Sequence, residues 1–176
     1  MLAGGCRWLQ LRCKGWTPAQ ARPVALALRR HTARVDALFI LNDWPELAVE
    51  VGADGVHVGQ LDGHAATIRS AMNAHMILGR STNDPTQVGA AAAHADYVAF
   101  GPVFDTSNLS RPKSVQGLER LAEVRRDLPA HIPLVAIGGI TRARLTEVRG
   151  AGADAWAVIG AICSAADPTA ATAELL

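Results

Sequence analysis

The chain reads as α/β, a TIM (β/α)8-type barrel without its first β/α unit, and three observations predict this. Seven short apolar runs recur along the chain, each followed by a segment of helical period, as in a parallel sheet with helical crossovers. Three of them are entered through one grammar: VGADGVHV, AHADYVAF and RGAGADAWAVIG each pass from a helix end through Ala-Asp into the strand. Polar residues then crowd the C-terminal ends of many strands. A doubly wound open sheet obeys the same alternation but concentrates its site in one crevice, whereas barrel loops all reach one rim.

The elements follow in order. MLAGGC reads as the end of a crossover helix, so a first strand and most of its helix are expected to be missing from this chain. The length of 176 residues agrees, because complete barrels run to about 250 residues. The first strand present, Trp8 to Arg12, lies in RWLQLRCKGW; period two puts Leu9, Leu11 and Cys13 on one face and Gln10, Arg12 and Lys14 on the other. Thr17-Pro18-Ala19-Gln20 starts a helix, with a capping residue before proline. A strand over Ala37 to Leu41 ends in Asn42 and Asp43, and Gly55 to Val58 leads to Gln60 and Asp62. Met76 to Gly79 is followed by Ser81, then by a helix start at Asp84-Pro85. Tyr97 to Phe100 leads to Thr106, Leu134 to Ile137 to Gly138 and Gly139, and Ala155 to Ile159 to Gly160. Asp167-Pro168 starts the last helix.

Composition narrows the function. Residues 1–176 suffice for one domain with one core, and a net charge of +1 with no basic block gives no case for nucleic acid or an anionic membrane. A small-molecule ligand fits better. Cys6, Cys13 and Cys163 form neither a disulfide framework nor a zinc spacing, which points to the cytoplasm. No apolar run is long enough to span a bilayer, and the first ten residues lack the pattern of a signal peptide. The unpaired sheet edges of an incomplete barrel predict self-association, hence a homo-oligomer.

Several residues carry chemistry at the strand ends. Gly138 and Gly139 let backbone amides approach a phosphate, or simply make a tight turn. Asp43 and Asp62 end neighbouring strands and can share a hard cation such as Mg²⁺, or each can cap the helix that follows. His57 reads as a satisfied interior histidine or a catalytic one; His31, His64, His75, His94 and His131 read as surface residues. The four tryptophans do not interleave with basic residues, so packing accounts for most of them.

The segments QLRCK, LND, DGVHVGQLD, GRST, ADYVAFGPVFDT, QGLERL, IPLVAIGGI and GADAWAVIGAI, in this order, resemble the thiamine phosphate synthase family, which also contains thiazole tautomerases. The resemblance spans nearly the whole chain. It implies a Mg²⁺-dependent transferase that joins hydroxymethylpyrimidine diphosphate to thiazole phosphate and releases pyrophosphate. It assigns Arg12 and Lys14 to the diphosphate with Gln10 beside them, Asn42 and Asp43 to the pyrimidine diphosphate and its metal, and Asp62 to the metal. Ser81 and Thr106 add hydroxyl contacts, while Gly139, Ile159 and Gly160 hold the thiazole phosphate; Arg12, Lys14 and Ser81 are the catalytic candidates. The chain departs from the family pattern at five positions. Asn108 and Leu109 replace a Thr and a Lys after Thr106, with Arg111 or Lys113 as substitute cations. Trp44 stands for an Arg, Gly160 for a Ser, and Asn83 for a His associated with tautomerase activity. A tautomerase, or a member that binds a phosphorylated thiazole or pyrimidine without turnover, is the alternative.

Overall fold

The computed structural model describes residues 1–60, 62–106 and 114–176. Seven strands, β1 (Trp8–Leu11), β2 (Leu38–Asn42), β3 (Gly55–Val58), β4 (Ile77–Thr82), β5 (Tyr97–Phe100), β6 (Leu134–Ile137) and β7 (Ala155–Ala157), form one sheet in sequence order, every neighbouring pair parallel. The helices are α1 (Pro18–Ala33), α2 (Pro45–Glu50), α3 (Ala65–Ala71), α4 (Val88–Ala92), α5 (Gly117–Asp127), α6 (Leu145–Gly150), α7 (Gly160–Cys163) and α8 (Pro168–Ala173). All seven expected strands are present. β4 runs on to Thr82 and takes in Ser81, whereas β7 stops at Ala157, short of Ile159.

Helix starts follow the capping chemistry in the sequence. Thr17 and Gln20 form a reciprocal capping box at α1, Asp167 accepts from Thr169 and Ala170 at α8, and Asp84 caps a 3-10 turn over Pro85–Gln87. The opening segment is a 3-10 turn, Leu2–Gly4, ended by Gly5 at φ 98°. It lies against α8 so closely that a Cβ on Gly4 would meet the Thr169 carbonyl oxygen at 2.4 Å. The two ends of the curled sheet are thus brought together through their flanking elements.

Strand alternation divides the side chains. Phe39, Leu41, Val56, Val58 and Leu78 pack under α1, α2 and α3, with Leu11 against them; Val98, Phe100, Leu134 and Ala136 do the same on the β5–β7 side. The opposite parity fills the concave interior: Ile77, Tyr97, Ala99, Val135, Ala155 and Ala157 cluster there. Trp8 meets the Tyr97 ring edge-on at 4.9 Å, so Trp8, Gln10 and the positions in step with them face inward. Gly79 is required by that filling. A Cβ there would stand 2.0 Å from Tyr97 Cζ, because the phenol lies across β4.

The Ala-Asp grammar has a structural cause. Asp54 heads β3, accepts the Phe39 amide of β2 at 2.7 Å and pairs with Arg29 of α1 at 3.0 Å. Asp96 does this for Leu78 and Arg69, and Asp154 for Leu134 and Arg125. Each carboxylate thereby ties two strands and a helix at the N-terminal ends of the strands, which leaves the C-terminal rim free for a ligand.

Candidate active site

The site is built at the C-terminal rim, beginning with β1. Arg12 and Lys14 follow the strand, and Lys14 Nζ donates to Asp43 Oδ2 at 2.5 Å. Asp43 sits just past β2 at φ 73°, a left-handed conformation that aspartate tolerates better than most residues, and its amide donates to the His57 carbonyl at 2.8 Å. Asn42, the last residue of β2, is buried and pairs with His57 in register.

Neither carboxylate is a helix cap. α2 begins after Trp44 and α3 after His64, with no side-chain cap at either. Asp62 instead turns back so that Oδ2 accepts the Gly59 amide at 2.6 Å, which holds the loop after β3. The capping alternative is therefore overturned: both turns place the acid before the helix, at the rim. Two carboxylates on adjacent strand ends are the donor type a hard cation takes, with substrate oxygens completing its shell. Among the described residues no cluster of three or more His, Cys, Asp or Glu forms a self-sufficient metal site.

Beneath the rim lies a buried polar chain. His57 Nδ1 is 2.8 Å from the Tyr97 hydroxyl and Nε2 is 2.7 Å from Ser81 Oγ. Gln60 Nε2 donates to the Ser81 carbonyl. Burial lowers the His57 pKa from 6.5 to about 4; the Asp62 carboxylate opposes this, and the Arg12 and Lys14 cations add to it. Burial also pushes the Tyr97 phenol up. The imidazole is thus neutral, and four residues with charge or a hydroxyl at the rim surround it.

The remaining site residues lie across the rim. The loop after β5 leans on the loop after β6: Phe104 N donates to the Gly138 carbonyl at 3.1 Å, and a Cβ on Gly139 would meet the Asp105 carbonyl oxygen at 2.4 Å. Thr106 follows Asp105, so Thr106 and Gly139 belong to one loop pair. Gly138 and Gly139, at φ 99° and 62°, make the tight turn that sequence alone left open. Ile159, exposed, precedes Gly160 at the start of α7. Asn108, Leu109, Arg111 and Lys113 lie outside the described residues.

Of the other expectations, His57 is an interior histidine with both nitrogens engaged, and the other five histidines are exposed. Trp44 and Trp156 pack with the helix-side clusters, whereas Trp16 is exposed and packing does not account for it. Tyr97 and Arg144 were not singled out by sequence. Arg144 lies over the Phe104 ring at 4.2 Å and donates to the Gly139 carbonyl at 2.6 Å. Tyr97 is the one tyrosine of the chain, but its place opposite Gly79 emerges only from the strand register, and nothing in the sequence marked Arg144. Among the described residues, no helix is long and apolar enough to cross a membrane.

Comparison with known proteins agrees with this geometry. The family model for thiamine monophosphate synthase matches residues 1–162. Thiamine-phosphate synthases of Laribacter hongkongensis and Anaeromyxobacter dehalogenans are 42% and 41% identical; each alignment covers 99% of this chain, and respectively 82% and 78% of those proteins. The solved thiamine phosphate pyrophosphorylase of Pyrococcus furiosus superposes with a TM-score of 0.89 at 34% identity, covering 99% of this chain and 83% of that one. A 3-hexulose-6-phosphate synthase shares the fold at a TM-score of 0.71 and 24% identity. Matched by the family model over residues 1–162 and about 40% identical to the thiamine-phosphate synthases above along nearly its whole length, this chain belongs to the thiamine monophosphate synthase family.

Proposed function

We propose that the chain is a thiamine-phosphate synthase, coupling hydroxymethylpyrimidine diphosphate to thiazole phosphate to give thiamine phosphate and pyrophosphate. The carrying observation is Lys14 held on Asp43 at the ends of β1 and β2, with Arg12 two residues before it, beside a neutral His57–Ser81 pair. In this reading the bond between the pyrimidine methylene carbon and the diphosphate oxygen breaks, the electron pair leaves with the diphosphate, and the thiazole nitrogen's lone pair forms the new C–N bond. Arg12 and Lys14 face the charge that grows on the leaving oxygens, the kind of preorganised electrostatics that dominates most catalysis. Ser81 donates to the same group and Asn42 orients the pyrimidine. Gly139, with the backbone at Ile159 and Gly160 and the Thr106 hydroxyl, receives the thiazole phosphate. Asp43 and Asp62 suit Mg²⁺, which when bound would neutralise diphosphate oxygens.

Three cysteines without a pairing pattern support a cytoplasmic setting, in which the protein would act on small phosphorylated molecules. The edge strands β1 and β7, each with one neighbour among the described residues, support self-association into a homo-oligomer. A coupling assay with both substrates and Mg²⁺ tests the function. Thiamine phosphate and pyrophosphate should appear in equal amounts. Binding of either substrate without pyrophosphate release would overturn the reading in favour of a non-catalytic member, and isomerisation of the thiazole alone would favour a tautomerase.

A further inference from the structure

We infer that Arg144 is a positioning residue, which clamps the loops after β5 and β6 together and so sets the Gly139 and Ile140 amides for the thiazole phosphate. That the ligand is a thiazole phosphate rests on the reading above; the clamp itself does not. Arg144 ends a 3-10 turn, Arg142–Arg144, that leads into α6. Its guanidinium carbon lies 4.2 Å from the centre of the Phe104 ring, and its Nη1 donates to the Gly139 carbonyl at 2.6 Å. Phe104 belongs to the loop after β5 and Gly139 to the loop after β6, so one side chain joins both loops to the head of a helix.

Two backbone bonds tie the loops, from Val103 N to the Ile137 carbonyl at 2.9 Å and from Phe104 N to the Gly138 carbonyl at 3.1 Å. The Arg144 bond falls on the next carbonyl along. A peptide unit is planar and trans, so its N–H points away from its own carbonyl. Fixing the Gly138 and Gly139 carbonyls therefore fixes the directions of the Gly139 and Ile140 N–H groups. Successive amides in a turn with left-handed residues form a concavity that receives an anion, and Gly138 and Gly139 stand at φ 99° and 62°. Close packing demands glycine at both places: a Cβ on Gly138 would meet Pro102 Cα at 2.5 Å, and one on Gly139 the Asp105 carbonyl oxygen at 2.4 Å. Paired glycines leave the backbone free to rotate, and a charged donor held on one of their carbonyls opposes that rotation. Lysine cannot do both tasks, because a flat guanidinium stacks on a ring while donating in its own plane, whereas an ammonium is a point charge. Arg144 directs its charge to Phe104 and Gly139, so its part is to hold the turn, and no contact with substrate is assigned to it.

Calorimetry of the whole protein with thiazole phosphate tests the clamp. Arg144→Met and Phe104→Leu should each weaken binding about tenfold, as loss of a charge-assisted hydrogen bond or of its ring platform does. Together they should lose little more than either alone, because both act through one contact. Arg144→Lys keeps the charge and should still bind as weakly as Arg144→Met. Arg142→Met removes the same charge from the same turn, where Arg142 is exposed and faces Glu174, and should bind as wild type. Inorganic pyrophosphate with Mg²⁺, which the reading above places at the β1 to β3 strand ends, should bind equally well to every variant. In the ligand-free protein the Gly139 and Ile140 amide resonances should move, and exchange faster with solvent, in Arg144→Met and Phe104→Leu but not in Arg142→Met. Full binding by Arg144→Lys, an equal loss in Arg142→Met, a matching loss for pyrophosphate, or unmoved Gly139 and Ile140 resonances in Arg144→Met overturns the proposal. If those resonances move as stated while the wild-type protein binds no thiazole phosphate, the clamp stands and the assigned ligand falls with the reading above.

Discussion

Lys14 Nζ and Asp43 Oδ2, from the ends of two neighbouring strands, stand 2.5 Å apart, with Lys14 42% and Asp43 21% exposed. An ion pair this open contributes at most about 1 kcal/mol to stability. Its placement at the rim matters more. Lys14→Ala should leave the melting temperature within a few degrees, yet lower kcat/KM about a hundredfold or more, as expected for loss of a preorganised charge. Steady-state kinetics beside thermal melts check this; a large drop in melting temperature with intact kinetics would make the pair structural.

His57 sets a pH dependence. Its pKa falls from 6.5 to about 4 on folding, so the unfolded chain takes up a proton that the folded chain refuses. Stability from this group is complete above about pH 6.5 and declines as pH falls toward about 4, a total of about 3 kcal/mol. Urea midpoints measured across that window should decline in the wild type and stay flatter in His57→Gln. Equal slopes would remove His57 as the cause.

Gly79→Ala should be strongly destabilising, because the new methyl would stand 2.0 Å from Tyr97 Cζ. Overpacking of this sort costs about 1–3 kcal/mol or more. Shortening the partner should return part of the loss, so the pair Gly79→Ala with Tyr97→Leu should be less damaging than the sum of its members. Additive denaturation energies would show that the phenol is not what excludes the methyl.

The strands and the inward parity of β1 were legible because each depends on local pattern: an apolar run, a period of two, a capping residue before proline. The helix starts at Thr17, Asp84 and Asp167 were legible for the same reason. Asp43 and Asp62 were not, since a short polar residue before a helix-like run can cap it or sit too early, as Asp43 does by one residue and Asp62 by two. The His57–Tyr97 contact was invisible because it bridges β3 and β5 over Gly79, and no spacing in a sequence records which side chain a missing Cβ admits. Repetition of Ala-Asp was visible, whereas its purpose required seeing the amides of Phe39, Leu78 and Leu134 on the carboxylates.

Asp96→Ala should cost about 1–3 kcal/mol, because it strands the Leu78 amide as well as Arg69. Asp96→Asn keeps an acceptor for that amide and should cost less. Both variants should retain wild-type kcat, since the clamp lies at the end of the strands opposite the rim. Loss of activity in Asp96→Asn at unchanged melting temperature would contradict that separation.

Asp62 separates a loop role from a metal role. Its Oδ2 accepts the Gly59 amide at 2.6 Å, an interaction that asparagine can keep through its own oxygen, while the charge offered to Mg²⁺ disappears. Asp62→Asn should therefore fold with a near-wild-type melting temperature but bind Mg²⁺ with pyrophosphate about tenfold more weakly or worse, as removal of a charged partner does. Asp62→Ala loses both interactions and should fall further in stability. The same carboxylate raises the His57 pKa against burial, so in Asp62→Asn the imidazole should titrate below about 4, a shift visible in its ring resonances without any substrate present. If binding of Mg²⁺ and pyrophosphate is unchanged while the histidine shifts as stated, Asp62 acts on the loop and the imidazole alone, and the metal role passes to Asp43.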